Sequence, residues 1–185
     1  MLSIYSLTGV NTTKALLKQF CRSFHASSIM GLKVGDKLPS IELYENNPTN
    51  KVNLEKLLSN KKAVVFAVPG AFTPGCSKTH LPGYVEKADE IKKKGIDEII
   101  CVSVNDPFVM EAWGKEHKAT GKVRMLADPD ASFTKALALD TNLPPLGGTR
   151  SKRYSMIIEN GVVKSLNVEP DGTGLSCSLA DKLPL

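Results

Sequence analysis

Residues 63–76 constrain this chain more than any other stretch. Ala63-Val-Val-Phe-Ala-Val68 is an unbroken apolar run rich in β-branched side chains. An unbroken run, unlike an alternating one, marks a strand buried on both faces, so helices must cover it above and below. The run gives way to Pro69-Gly-Ala-Phe-Thr-Pro-Gly75. Its prolines stiffen the backbone and its glycines let the backbone come close to a neighbour. Cys76 follows and opens a helical pattern that continues to Lys94, with Gly95 as its stop. Pro82 and Gly83 should kink or break the first half of that helix.

The remaining pattern alternates in the same way. Ile41 to Tyr44 reads as a short strand, and Asn53 caps a short helix through Leu58. Ile99 to Val104 is a second buried strand. Asp106-Pro107 combines a cap with a proline at the first helical position. The helix it opens should run to about Lys118 and bury Phe108, Ala112 and Trp113. Val123 to Ala127 is a third strand, and Asp128 to Asp130 turns into a short helix through Leu137. Pro144-Pro-Leu-Gly-Gly148 reads as irregular loop. Arg153 to Glu159 and Val162 to Val168 flank Asn160-Gly161, a strong hairpin signal. Ser176 to Leu183 reads as a short terminal helix. This order predicts an α/β domain: a mostly parallel central sheet, an antiparallel hairpin at one edge and helices on both faces.

Length and charge narrow the classes. The 185 residues suit one domain. No apolar run approaches the roughly 18 residues of a membrane-spanning helix. The net charge of +5 does not mark a nucleic-acid binder, because no basic block occurs and Lys92, Lys93 and Lys94 read as the solvated end of a helix. The charge is uneven at the start. The first acidic residue is Asp36, after Lys14, Lys18, Arg22 and Lys33 and many Ser and Thr. Leu16, Leu17 and Phe20 fall at helical spacing. A basic, acid-free, amphipathic start predicts a mitochondrial transit peptide over residues 1–31, with the folded domain over 32–185 and a matrix location. Arg22-Ser-Phe-His-Ala-Ser27 resembles a matrix-protease pattern that would cut near Leu32. Removal of 1–31 takes away Lys14, Lys18 and Arg22 and no acidic residue, which leaves +2. A start at Met30 would give a cytoplasmic form.

The four cysteines, Cys21, Cys76, Cys101 and Cys177, stand far apart, so no CxxC redox pair or zinc knuckle exists. That disfavours a general disulfide oxidoreductase. Cys76 is placed to react. The first turn of a helix has unpaired N–H groups and the positive end of the helix dipole, and both favour a thiolate. Thr73, three residues earlier, can aim its hydroxyl at the sulfur or at a bound oxygen. Cys101 sits within an apolar strand pattern and reads as core. His80 shares the Cys76 helix face, where the plain reading is a structural residue lining the pocket. No metal-ligand spacing, G-x-G-x-x-G or P-loop occurs, so no cofactor is expected.

The segment PGAFTPGCSKTHLPG, residues 69–83, resembles the active-site signature of the peroxiredoxins, closest to the type II, peroxiredoxin-5-like branch of atypical two-cysteine proteins. The resemblance continues through 101–108, 122–129, 151–156 and 167–174, and covers nearly all of the chain after Val34. Pro69, Thr73 and Cys76 match the family's Pro-x-x-x-Thr-x-x-Cys.

The resemblance implies a thioredoxin-like fold, often homodimeric, and a thiol peroxidase without cofactor. Cys76 would be the peroxidatic cysteine, and Arg153, at the start of Arg-Tyr-Ser-Met, the family's arginine. Arg150 is its near rival. Pro69, Thr73, Gly75 and Arg153 would bind hydrogen peroxide, alkyl hydroperoxides or peroxynitrite. Cys177, in Gly-Leu-Ser-Cys-Ser, would resolve the sulfenic acid as an internal disulfide, with Cys101 as the competitor and thioredoxin as the reductant. Forming that disulfide would unwind the chain around Cys76 and in the 170s. The ending Lys182-Leu-Pro-Leu185 differs from the S-K-L peroxisomal address that some relatives approach. A redox sensor that relays oxidation to a partner is the alternative activity on the same fold.

Overall fold

A computed structural model describes residues 31–185. The expected presequence, up to residue 30, lies outside the described residues. The strands are β1 (Glu42–Glu45), β2 (Lys51–Asn53), β3 (Lys62–Val68), β4 (Glu98–Ser103), β5 (Arg124–Ala127), β6 (Asp140–Leu143), β7 (Gly148–Ser151), β8 (Tyr154–Glu159) and β9 (Val162–Val168). The α-helices are α1 (Leu54–Leu57), α2 (Leu81–Glu86), α3 (Ala88–Lys93), α4 (Pro107–Glu116) and α5 (Ser132–Ala136). A π-helical turn at Cys76–His80 precedes α2. Among the described residues no helix is long and apolar enough to cross a membrane.

Seven strands form the central sheet in the order β2-β1-β5-β4-β3-β8-β9. The expected mostly parallel sheet is mixed: only β3–β4 and β4–β5 run parallel, and both flanks are antiparallel. The unbroken run of β3 explains why the parallel strands sit in the centre. Val64, Phe66 and Val68 point to one core cluster, shared with Leu81, Tyr84 and Trp113. Ala63, Val65 and Ala67 point to the other, shared with Leu54, Phe133 and Tyr154. A strand buried on both faces needs apolar residues at every position. The hairpin β8–β9 turns at Asn160 and Gly161, both with positive φ (53° and 74°), as the Asn-Gly pair requires.

Four expected elements come out differently. The helix after the loop does not break at Pro82. It opens at Pro74, and the turn before Pro82 widens, with the Leu81 N–H donating to the Cys76 carbonyl five residues back. Proline has no N–H and its ring crowds the carbonyl four residues behind, so the strain appears one turn upstream. In α4 the buried stripe is Met110, Trp113 and Gly114, while Phe108 and Ala112 are exposed. Residues two positions from Met110 lie roughly 200° around the helix, so 108 and 112 cannot share its stripe. Gly114 seats α4 on the sheet, since a Cβ there would stand 2.7 Å from Met125 Cγ. Finally, residues 176–183 hold only a 3₁₀ turn at Ala180–Lys182. The backbone N–H groups of Ser176, Cys177 and Ser178 are all spent on the Glu169 carboxylate. The irregular loop read at Pro144–Gly148 is the connection of a second hairpin, β6–β7.

Candidate active site

The loop after β3 is held by the ends of its parallel neighbour. Asn105 Oδ1 accepts from the Ala71 N–H (3.0 Å) and from Ser103 Oγ (2.8 Å), at the carboxyl end of β4. Neither residue was picked out from the sequence. Their signal was present as polar side chains at the end of an apolar strand, where α/β sheets place their sites. Pro69 and Gly70 are buried at the end of β3. Of the two partners expected for the Thr73 hydroxyl, the sulfur or a bound oxygen, the sulfur is not the one it meets: Oγ1 donates to the Gly70 carbonyl (3.0 Å) and fixes the loop.

Cys76 lies in the first helical turn and is fully buried. Arg153, just before β8 and only 4% exposed, donates from Nη1 to Cys76 Sγ (3.4 Å). Its Nε donates to the Thr173 carbonyl (3.0 Å). Gly75 leaves room for the guanidinium: a Cβ there would stand 3.4 Å from Arg153 Nη2. No carboxylate pairs with Arg153 in the ion pairs of the described residues. Burying a cation without a counter-ion is costly, and this guanidinium is placed where it would favour negative charge at the sulfur or at a bound reactant. The rival Arg150 is excluded from this role. It donates to the carbonyls of Val104 (2.7 Å) and Leu146 and ties the β6–β7 hairpin to the sheet.

His80 lines the site and bridges two of its parts. Its Nε2 meets the Ser178 carbonyl (3.0 Å) and its Nδ1 meets Arg153 Nη1 (3.2 Å). A carbonyl only accepts and a guanidinium only donates, so the imidazole is neutral with its proton on Nε2. Burial pushes the imidazole down to about 4, the Arg153 charge adds to this, and the Ser178 carbonyl and Glu169 oppose it. The folded value lies below the unfolded one. The stability tied to neutral His80 is therefore complete above about pH 6.5 and is lost as pH falls toward 4. Urea unfolding of wild type should lose about 2 kcal/mol between pH 7 and pH 5 from this group, at about 1.4 kcal/mol per pH unit. His80→Gln should flatten that slope. An unchanged slope would contradict the neutral assignment.

The other two described cysteines differ sharply. Cys101 is fully buried in β4, paired with Phe66 and Met125, and burial pushes its thiol well up. Cys177 is half-buried in the 169–178 loop, with Sγ 3.5 Å from the Val168 carbonyl. Both thiols and Cys76 are free. Tyr84 O–H also donates to the Ser178 carbonyl (2.8 Å), so the helix after Cys76 grips the residue next to Cys177.

A thioredoxin-like α/β fold with a buried cysteine under a guanidinium defines the class, and similarity to known proteins agrees with it. The Redoxin family profile matches residues 33–183, and the chain belongs to that family. It is 43% identical over 180 residues to the chloroplastic Peroxiredoxin-2E of Arabidopsis thaliana, covering 94% of this chain and 76% of the relative. The reduced Prx3 of Vibrio vulnificus in complex with hydrogen peroxide superposes with a TM-score of 0.77 at 49% identity, over 82% of this chain and 96% of that one. Peroxiredoxin 5 of Alvinella pompejana gives 0.71 at 40%, over 77% and 92%. Within the redoxins the chain is a type II peroxiredoxin, and so a thiol peroxidase enzyme with an antioxidant role.

One expectation is overturned. The mitochondrial location does not stand, because relatives matched over nearly the whole chain are chloroplastic. Mitochondrial and plastid presequences share a basic, Ser-rich, acid-poor composition, so composition alone misassigned the organelle.

Proposed function

We propose that Cys76 reduces hydrogen peroxide and organic hydroperoxides by nucleophilic displacement, that Cys177 resolves the product, and that thioredoxin returns the chain to its dithiol. The supporting observation is the buried guanidinium of Arg153, free of carboxylates, directed at the Cys76 sulfur. The thiolate attacks one peroxide oxygen and the O–O bond breaks. The other oxygen takes a proton and leaves as water or an alcohol, and Cys76 becomes a sulfenic acid. Arg153 has donors left over. Its Nη2 makes no hydrogen bond among the described residues and faces Gly75, where a peroxide oxygen can bind. Loop amides near Gly75 and Cys76 add donors for charge spread over both oxygens. The Vibrio vulnificus relative is described with hydrogen peroxide bound, which supports the smallest member of this substrate class.

Cys101 is disfavoured as the resolver because moving it would break pairs with β3 and β5 at the sheet centre. A homodimer belongs to the same reading, and the exposed Phe72 and Phe108 would gain from cover. Purified protein with thioredoxin, its reductase and NADPH should consume peroxide. Cys177→Ser should lose that turnover while still consuming one equivalent of peroxide per chain. Full coupled turnover in Cys177→Ser would overturn the resolving role.

A further inference from the structure

The segment that carries Cys177 is held by one carboxylate. Glu169, only 1% exposed, accepts at Oε1 from the N–H groups of Ser176 (2.9 Å), Cys177 (3.0 Å) and Ser178 (2.9 Å) and from the Ser178 hydroxyl (2.7 Å). Its Oε2 accepts from the Ser176 hydroxyl (2.6 Å). Burial alone would push this carboxyl up, but the bonds from Ser176 and Ser178 outweigh it and hold it at about 2, so it is ionised at neutral pH. Glu169 is itself anchored to the active site, because its N–H donates to the carbonyl of Arg153 (3.0 Å). The Asp171 turn, with the Thr173 N–H on Oδ1 (2.8 Å), keeps the intervening loop shaped independently of these bonds.

We propose that Glu169 is a positioning residue that latches the Cys177 segment in the reduced fold and so sets how long a sulfenic acid on Cys76 persists. This rests on Cys177 as resolver. The Cys76 end of the grip is different in kind: His80 and Tyr84 hold the Ser178 carbonyl from a helix that must itself move when Cys76 reacts further. Once that helix unwinds, the Glu169 bonds remain on the segment, beside only the weak contact of Cys177 Sγ with the Val168 carbonyl (3.5 Å). When they release, the Cys177 sulfur attacks the Cys76 sulfur, the S–O bond breaks, and hydroxide leaves with the Cys177 proton as water. The disulfide contains the two electrons' worth of oxidation that the peroxide delivered. Charge-assisted bonds are the stronger kind, so one carboxylate can govern the step.

Two readouts test the latch in the full-length protein. The first is iodoacetamide labelling of Cys177 in reduced protein, read by mass mapping. The second is stopped-flow fluorescence after peroxide. Trp113 is the sole tryptophan and its Nε1 donates to Ser77 Oγ (3.0 Å), beside Cys76, so it reports unwinding there. Glu169→Gln should speed Cys177 labelling about fivefold to tenfold and raise the ratio of the second fluorescence phase to the first by a similar factor. Ser176→Ala, which removes one hydroxyl and leaves the carboxylate, should raise both about twofold. Labelling unchanged in both variants, or a slower second phase, overturns the latch. A second phase that survives in Cys177→Ser sinks instead the reading of Cys177 as resolver, and labelling still decides whether the latch exists.

Discussion

Cys76→Ser should consume peroxide no faster than free thiols in solution, a loss of more than about a thousandfold, while remaining folded. The two parts of this expectation have separate causes. Serine fills the cysteine's space and can accept the same bond from Arg153, so packing around the first helical turn survives. Its hydroxyl stays protonated near neutral pH and is a poor nucleophile toward peroxide oxygen. The variant should therefore melt within a few degrees of wild type. Peroxide consumption coupled to thioredoxin measures the first part and thermal unfolding the second. Substantial turnover in the serine variant would place the chemistry on another residue.

Arg153→Met should slow the peroxide reaction by about a hundredfold to a thousandfold, the range for removing one donor aimed at developing charge. It should do so without a matching loss of stability. Arg153 is buried with no carboxylate partner, and an apolar side chain of similar volume ends that desolvation cost. Against this stand the lost bonds to the Thr173 carbonyl and to His80. Bonds involving a charged group contribute about 1.5–3 kcal/mol each and the relieved desolvation is several kcal/mol, so the net change in unfolding free energy should fall within about 2 kcal/mol of zero. Arg153→Lys keeps the charge but not the fork that serves Sγ, His80 and Thr173 at once, and should recover only about tenfold of the lost rate. Comparing kcat/KM with the unfolding midpoint across the three proteins checks both halves. A large drop in stability with little drop in rate would make Arg153 a structural residue.

The parts of the fold legible in the sequence were those written in local pattern. The unbroken run of β3, the Asp106-Pro107 start of α4 and the Asn160-Gly161 turn each encode their geometry within a few residues. The antiparallel flank at β8–β9 was legible in its turn, but the flank at β1 was not, because pairing of β1 with β5 joins segments some 80 residues apart and leaves no local mark. The widened turn at Cys76–His80 was hidden for another reason: Pro82 signalled strain, but not that the strain would be taken up upstream of it.

At the site, the motif around Cys76 pointed to it as the candidate nucleophile, the resemblance pointed to Arg153, and the fold brings the two side chains together. Composition could not separate Arg153 from Arg150, three residues apart; only the fold sends one to the sulfur and the other to Val104 and Leu146. Asn105 and Glu169 act by hydrogen bonds to backbone in distant loops, a role that no spacing rule announces. The organelle was misread because two kinds of presequence share one composition.

One measurement bears most directly on the central claim that a single buried sulfur takes the oxygen. Cys177→Ser should be treated with one equivalent of hydrogen peroxide, trapped with a 1,3-diketone that captures sulfenic acids, and mapped by mass spectrometry. The trap should be found on Cys76 in nearly every chain. A trap found on Cys101, or peroxide consumed while Cys76 stays unmodified, would contradict the account.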